Sequence, residues 1–215
     1  MMNARVFRCV LAAIATAGCL VAAAQKKPSD VTGTVQLNDD FSRVSPNWRI
    51  GKFSNGETWI EGGVMHVRAI KDDSSLYVDY DAVFGDQIIE VETVLLDGTD
   101  DNWQTVNCRQ VDDSNYYDLG ISADGYYLLD VWVDGSKLAK SLGPSRSPHI
   151  RTGRNVVNAL RIECVGTNLR LFVNGNLVAE LTDETFSKGL VAFSVMSIGG
   201  PYSEVAYDNF RITVP

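Results

Sequence analysis

The sequence predicts an all-β fold in which two antiparallel sheets pack face to face as a sandwich. Three observations carry that expectation. Hydrophobic residues recur with period two, as in Gln87 to Leu96, where Ile89, Val91 and Leu95 share a face. Turn chemistry falls between such runs, at Gly62-Gly63, Asp124-Gly125, Asp134-Gly135 and Asn174-Gly175. After the N-terminal leader, no stretch keeps a helical period. With 215 residues, the chain suits one domain and a single large core.

The first 24 residues stand apart. Arg5 and Arg8 give a basic start, Val10 to Ala24 is apolar and rich in small residues, and Ala22-Ala23-Ala24 precedes Gln25. Residues 1–24 therefore read as a signal peptide cleaved after Ala24, too short and Ala-rich for a permanent span. A competing site, Thr16-Ala17-Gly18-Cys19, resembles a bacterial lipobox, with Thr16 where Leu is usual. On that alternative Cys19 carries a lipid anchor. Either way the chain is exported, to the periplasm or beyond. Residues 25–36 read as a polar linker, and the domain proper as residues 37–215.

Strand signals then follow one another. Val35-Gln36-Leu37 leads into Asp39-Asp40-Phe41, and Thr58 to Glu61 turns at Gly62-Gly63 into Val64 to Arg68. Ser75 to Tyr80 alternates, as does Gln87 to Leu96. Thr105 to Gln110 and Tyr116 to Ile121 flank the polar turn 112–115, and Asp124-Gly125 opens Tyr126 to Val133. Pro144 to Arg154 reads as a long loop. Next comes a three-strand meander, Leu160 to Val165, Leu169 to Val173 and Asn176 to Leu181, whose second turn, Asn174-Gly175, fits type I′. Asp183 to Phe186 suggests one helical turn before the strands Gly189 to Ser197 and Glu204 to Val214.

Charge and cysteines narrow the classes. Removing the leader deletes two arginines and no acid, which takes the formal charge from −8 to −10. No run of Lys or Arg remains to track phosphates, so nucleic acid and anionic membranes are poor partners. The leader removed, Cys108 and Cys164 are the remaining cysteines. In an oxidising compartment a disulfide is favoured over two free core thiols or a metal site. Closing a loop of about 57 residues would stabilise the fold by on the order of 4 kcal/mol.

Several stretches together resemble a known family: Asp39-Asp40-Phe41 with Trp48, Phe84-Gly85-Asp86, Cys108-Arg109-Gln110 followed by Tyr117, Ile121 to Tyr127, Phe172-Val173-Asn174-Gly175 and Tyr207-Asp208-Asn209-Phe210-Arg211. Their order is similar to extracytoplasmic bacterial domains of the concanavalin A-like lectin/glucanase superfamily, relatives of LamG-type jelly rolls. The resemblance spans about Leu37 to Val214. It implies two curved antiparallel sheets with first and last strands often adjacent. The superfamily hosts lectins, glycosidases and adhesion modules, so function has to come from a site.

Three sites are candidates. Glu90 and Glu92 share a strand face and suit a retaining glycosidase in residue type, although the superfamily's Glu-x-Asp-x-Glu pattern is broken here at Val94. Oxygen donors gather in 97–102, with Asp97 and Asp100, and Asp39, Asp40, Asp208 and Asn209 would meet if the terminal strands pair. Either set offers hard donors to a structural calcium ion, the one cofactor the sequence suggests. Finally, period two leaves Tyr116 and Asp118 on one strand, and Tyr126, Asp130 and Trp132 on the next, facing away from the core. With Trp103 at the rim, such rings stack on sugars while the carboxylates accept hydroxyl hydrogen bonds. No nucleotide loop, serine triad or zinc motif accompanies His66 and His149. The expected role is therefore non-catalytic recognition of a glycan or surface polymer. A glycoside hydrolase comes second and a protein–protein adhesion module third.

Overall fold

The computed structural model describes residues 29–30, 35–137 and 140–215. The signal peptide, the cleavage after Ala24 and the Cys19 alternative lie outside the described residues. Among the described residues there are seventeen strands and no helix. They are β1 (Ser29–Asp30), β2 (Val35–Asp39), β3 (Gly51–Phe53), β4 (Gly56–Glu61), β5 (Val64–Ala69), β6 (Ser74–Phe84), β7 (Gln87–Gly98), β8 (Asn102–Asp112) and β9 (Asn115–Ile121). The chain continues through β10 (Tyr126–Val133), β11 (Ser136–Lys137), β12 (Leu142–Arg146), β13 (Asn158–Val165), β14 (Asn168–Val173), β15 (Asn176–Thr182), β16 (Gly189–Ser197) and β17 (Ser203–Val214).

Sheet one runs β1-β6-β16-β8-β9-β10-β11, with β12 also on β10. Sheet two runs β15-β14-β13-β7-β17-β5-β4-β3, with β2 also on β17. Strand pairs are antiparallel apart from β1 on β6. The first long strand and the last thus lie side by side, Leu37 opposite Ile212. Such a two-sheet antiparallel sandwich is a jelly roll.

Period-two alternation explains the core. Ile89, Val91 and Leu95 of β7 face Tyr117, Leu119 and Ile121 of β9 and Leu129 and Val131 of β10 within one buried cluster. At one end Phe41, Trp48, Phe193, Tyr207 and Phe210 pack ring on ring, with Phe193 stacked on Tyr207 at 4.3 Å. Cys108 of sheet one and Cys164 of sheet two form a disulfide through this core. Beside it a bulge at Arg109, whose φ is +51°, turns two successive residues inward. The buried guanidinium donates to the carbonyls of Gly85, Cys164, Gly166 and Phe186 and to Asp86. A buried cation requires such saturation. Gly189 lies against the bulge, where a Cβ would stand 2.3 Å from the Arg109 carbonyl carbon.

The meander forms as expected, with Asn174 and Gly175 both at positive φ. Three expectations change. Ser29–Asp30, within the expected linker, pairs with β6. Part of the expected loop 144–154 belongs to β12, paired with β10. Trp103, which follows the acidic stretch 97–102 in sequence, belongs to β8. No helical turn forms at 183–186, because the Asp183 carboxylate accepts from Thr185 N–H and from the Tyr117 hydroxyl, each at 2.8 Å. Asp favours that local bond over helix.

Candidate functional site

The outer face of sheet one carries the candidate site. Among the described residues no strand packs over it, yet its central side chains are buried: Thr105 is 1% exposed, Asn107 3% and Asp130 1%. Register puts them in rows. Asp130 of β10 is opposite Asp118 of β9, which is opposite Asn107 of β8, itself opposite Ala192 of β16. One row along, Leu128, Gly120, Thr105 and Ser194 align in the same way. Large half-buried rings stand around these short side chains. Tyr116 and Trp132, also opposite in register, stack with centroids 6.0 Å apart and planes 21° from parallel. Tyr77 of β6 lies on the same side, while Tyr126 and Trp103 border the far end. The result is a sheet face with a buried polar centre bordered by aromatic rings.

Its electrostatics follow from crowding two carboxylates under low exposure. Burial first, and then the facing Asp130, push the Asp118 carboxyl up to about 7, against bonds from Thr105 and Asn107 that favour ionisation. Asn107 Nδ2 donates to Asp118 at 2.9 Å. Lys137 Nζ lies 2.7 Å from Asp130 Oδ2 and 5.9 Å from the Trp132 ring centre. Burial, then Asp118 and other acids, raise the Tyr116 hydroxyl well above its ordinary value. Two buried atoms of this face, Asp130 Oδ1 and Trp132 Nε1, have no hydrogen-bond partner among the described residues. Unmet buried capacity of this kind is uncommon in a finished fold. Arg146 of β12 covers the Tyr126 ring at 4.5 Å.

The sequence-predicted residues thus divide. Tyr116, Asp118, Tyr126, Asp130 and Trp132 come together on one face, and Trp103 borders it. Glu90 and Glu92 instead lie on the outer face of sheet two. Glu90 pairs with Arg161 and Arg211, at 3.3 and 3.6 Å, and Glu92 accepts from Asn209 at 2.8 Å. The acids suggested for calcium are taken up by the protein's own donors. Asp39 does reach the last strand, opposite Phe210, but its oxygens accept from Phe41 N–H and Trp48 Nε1. Asp40 accepts from Ser42 N–H, and Asp208 from Asn209 N–H. Asp97 accepts from Gly98 N–H, Tyr202 and Arg154, and Asp100 pairs with Arg154. Among the described residues, no group of three or more His, Cys, Asp or Glu is placed to hold a metal, so these clusters do not fit a calcium cage.

No known family's sequence pattern matches the chain, and no curated protein sequence matches it. Solved structures do. The carbohydrate-binding module CBM66 from Bacillus subtilis aligns with a TM-score of 0.63 at 16% identity, over 77% of this chain and 94% of that one. Crh5 transglycosylase in complex with NAG aligns at 0.65 and 12% identity, over 87% and 86%. A prokaryotic β-1,3-1,4-glucanase (lichenase) from a mouse hindgut metagenome aligns at 0.61 and 10% identity, over 84% and 99%. The fold is the concanavalin A-like jelly roll. Identities this low carry the architecture alone.

Within that jelly roll, sequence reasoning missed Tyr77, Thr105, Asn107 and Lys137. Period two contained the signal for the first three, since each alternates with a buried apolar neighbour. Lys137 lies beyond a turn on a two-residue strand, where no periodicity could place it.

Proposed function

We propose that this is an exported glycan-recognition protein that seats a polysaccharide on the outer face of sheet one without cleaving it. The stacked, half-exposed Tyr116–Trp132 pair beside the polar row Asn107–Asp118–Asp130 carries this reading. A sugar ring has an apolar face for the rings and equatorial hydroxyls for carboxylates and amides. The inter-sheet disulfide supports export, since such bonds persist in oxidising compartments. The test is a glycan array on the mature domain, repeated with Trp132→Ala. Retention of a defined glycan class that the variant loses while keeping its melting temperature supports the reading. Equal retention by both proteins removes Trp132 from the site.

A second reading, glycoside cleavage, draws on Asp118. A carboxyl raised to about 7 keeps the proton that a general acid donates. Its opposite number weakens that reading, because Asp130 is 1% exposed and held by Lys137. Neither an accessible nucleophile nor a base that could activate water faces Asp118 in that pair. Release of reducing ends from any retained glycan would establish cleavage.

A further inference from the structure

Two acids and one cation meet on the outer face of sheet one. Asp118 of β9 and Asp130 of β10 are directly opposite in register, where facing side chains are about 5 Å apart at Cβ. Asp130 is buried, and Lys137 Nζ lies 2.7 Å from its Oδ2. Half-buried Asp118 accepts from Asn107 Nδ2 at 2.9 Å and from the Thr105 side chain. What is left over is Asp130 Oδ1, buried and without a hydrogen-bond partner among the described residues. A buried carboxylate oxygen is costly to leave in that state.

The surrounding groups leave one source for the missing donor. From β8, Thr105 and Asn107 turn to Asp118 and carry no charge. From β16, Ala192 and Ser194 continue the same rows and are neutral too. From β11, Lys137 serves the other oxygen of Asp130. On β10 itself Trp132 Nε1 is buried and unmet, so it does not reach Asp130. The Tyr116 hydroxyl of β9 is raised by burial, then by Asp118, by Tyr77 of β6, by Asp130 and by Asp113 of the β8–β9 turn. From the core side the Tyr207 hydroxyl donates to the Ser194 and Thr105 carbonyls. Among the described residues that leaves Asp118, which becomes a donor by keeping a proton. Charge agrees with this: with one proton the two acids carry a single negative charge against one ammonium, and without it they carry two.

We propose that Asp118 and Asp130 hold one proton between them, Asp118 O–H donating to Asp130 Oδ1, and that this bond clamps β9 to β10 beside the Tyr116–Trp132 pair and so controls glycan retention. This rests on the glycan-recognition reading and gives it a regulation. Tyr116 and Trp132 are the next outward residues along the same two strands and are themselves opposite in register. A cross-strand bond at this place holds the spacing at which their rings stack, 6.0 Å between centroids. When the proton passes to solvent the bond goes with it. Two carboxylates then face each other across one ammonium, and their repulsion loosens the ring pair. The Asp118 carboxyl, pushed up to about 7 by burial and by Asp130, puts this change near neutral pH. Retention is therefore fullest on the acid side and falls as pH rises through about 7.

The test joins two measurements on the mature domain. Carbon NMR follows the aspartate carboxyl carbons through a pH titration, and an array of neutral, N-acetylated and acidic polysaccharides is read at about pH 6 and about pH 8.5. The Asp118 and Asp130 carbons are expected to move together, with one midpoint near 7. Retention of the bound polysaccharide is expected to fall at least about threefold between the two readings. Asp118→Asn is expected to abolish that midpoint and to make retention, relative to its own acid value, flat with pH. Lys137→Gln is expected to move the midpoint upward, because a cation that favours ionisation is gone; a merely structural lysine would leave it in place. Movement of the Asp118 carbon alone, or of neither carbon, overturns the shared proton. Joint movement with equal retention at both readings overturns the control of retention and leaves glycan recognition standing. No polysaccharide bound at either reading overturns the recognition reading and the control of retention with it, while the carbon titration still decides the proton.

Discussion

Each sheet carries a stacked ring pair on its outer face, and the two pairs live in opposite surroundings. On sheet two Trp59 and His66 stack at 4.6 Å with planes 9° apart. Trp59 Nε1 donates to Glu61, and His66 Nδ1 lies 3.2 Å from Glu204, which also pairs with Arg68. Around it runs a ladder of ion pairs, Glu57–Arg68–Glu204 and then Arg211–Glu90–Arg161–Glu163–Arg170–Glu180. On sheet one the Tyr116–Trp132 pair adjoins the buried Asp130 and the half-buried Asp118, and Trp132 Nε1 and Asp130 Oδ1 are unmet among the described residues. An aromatic pair alone does not mark a site. The two pairs differ in the hydrogen-bonding capacity left over beside them, which burial makes costly.

The comparison can be broken at either pair. Losing about 80 Å² of ring contact at about 25 cal/mol per Å² removes about 2 kcal/mol, so Trp132→Ala is expected to weaken glycan retention roughly thirtyfold. Tyr116→Ala should follow within about tenfold of that effect, read by affinity electrophoresis.

A second prediction concerns pH. The Asp118 carboxyl is held near 7 in the folded chain, against about 4 when unfolded. Between those values the folded state keeps a proton that the unfolded state has released. That contribution to stability is therefore fullest on the acid side of the window and is lost as pH rises through about 7. Melting curves of Asp118→Asn should show a flatter dependence than the parent across this window. An unchanged slope would mean that Asp118 is not the buried acid described.

Glu90→Gln sharpens the contrast from the other side. Exposed ion pairs contribute about 0–1 kcal/mol, so the variant should lose at most that in denaturant unfolding and nothing in glycan retention. The smallest expected effect is that of Trp59→Ala on retention, which should be none.

Much of this was legible in the sequence, for one reason: period two assigns each strand residue to a face without knowledge of its neighbours. Tyr117, Leu119 and Ile121 point inward and Tyr116 and Asp118 outward, as that rule requires. Cys108 and Cys164 could be paired because they are the two cysteines left after the leader, each within a strand, in an oxidising compartment. What period two cannot supply is register between strands distant in sequence. Glu90 and Glu92 share a face, but which arginines cross to meet them depends on β13 and β17 pairing with β7. Nor does spacing show the local partners of the acids suggested for calcium: Asp39, Asp40 and Asp97 each bond a backbone N–H one or two residues on. The bulge at Arg109 breaks the alternation, so its burial could not be read from spacing.

One outer face binds and the other does not, on the reading proposed above. Retention of Trp132→Ala and Trp59→Ala on the same polysaccharide, each checked for an unchanged melting temperature, tests it most directly. The prediction is a roughly thirtyfold loss for the first and parent-like retention for the second. Loss at Trp59 with retention at Trp132 would contradict it.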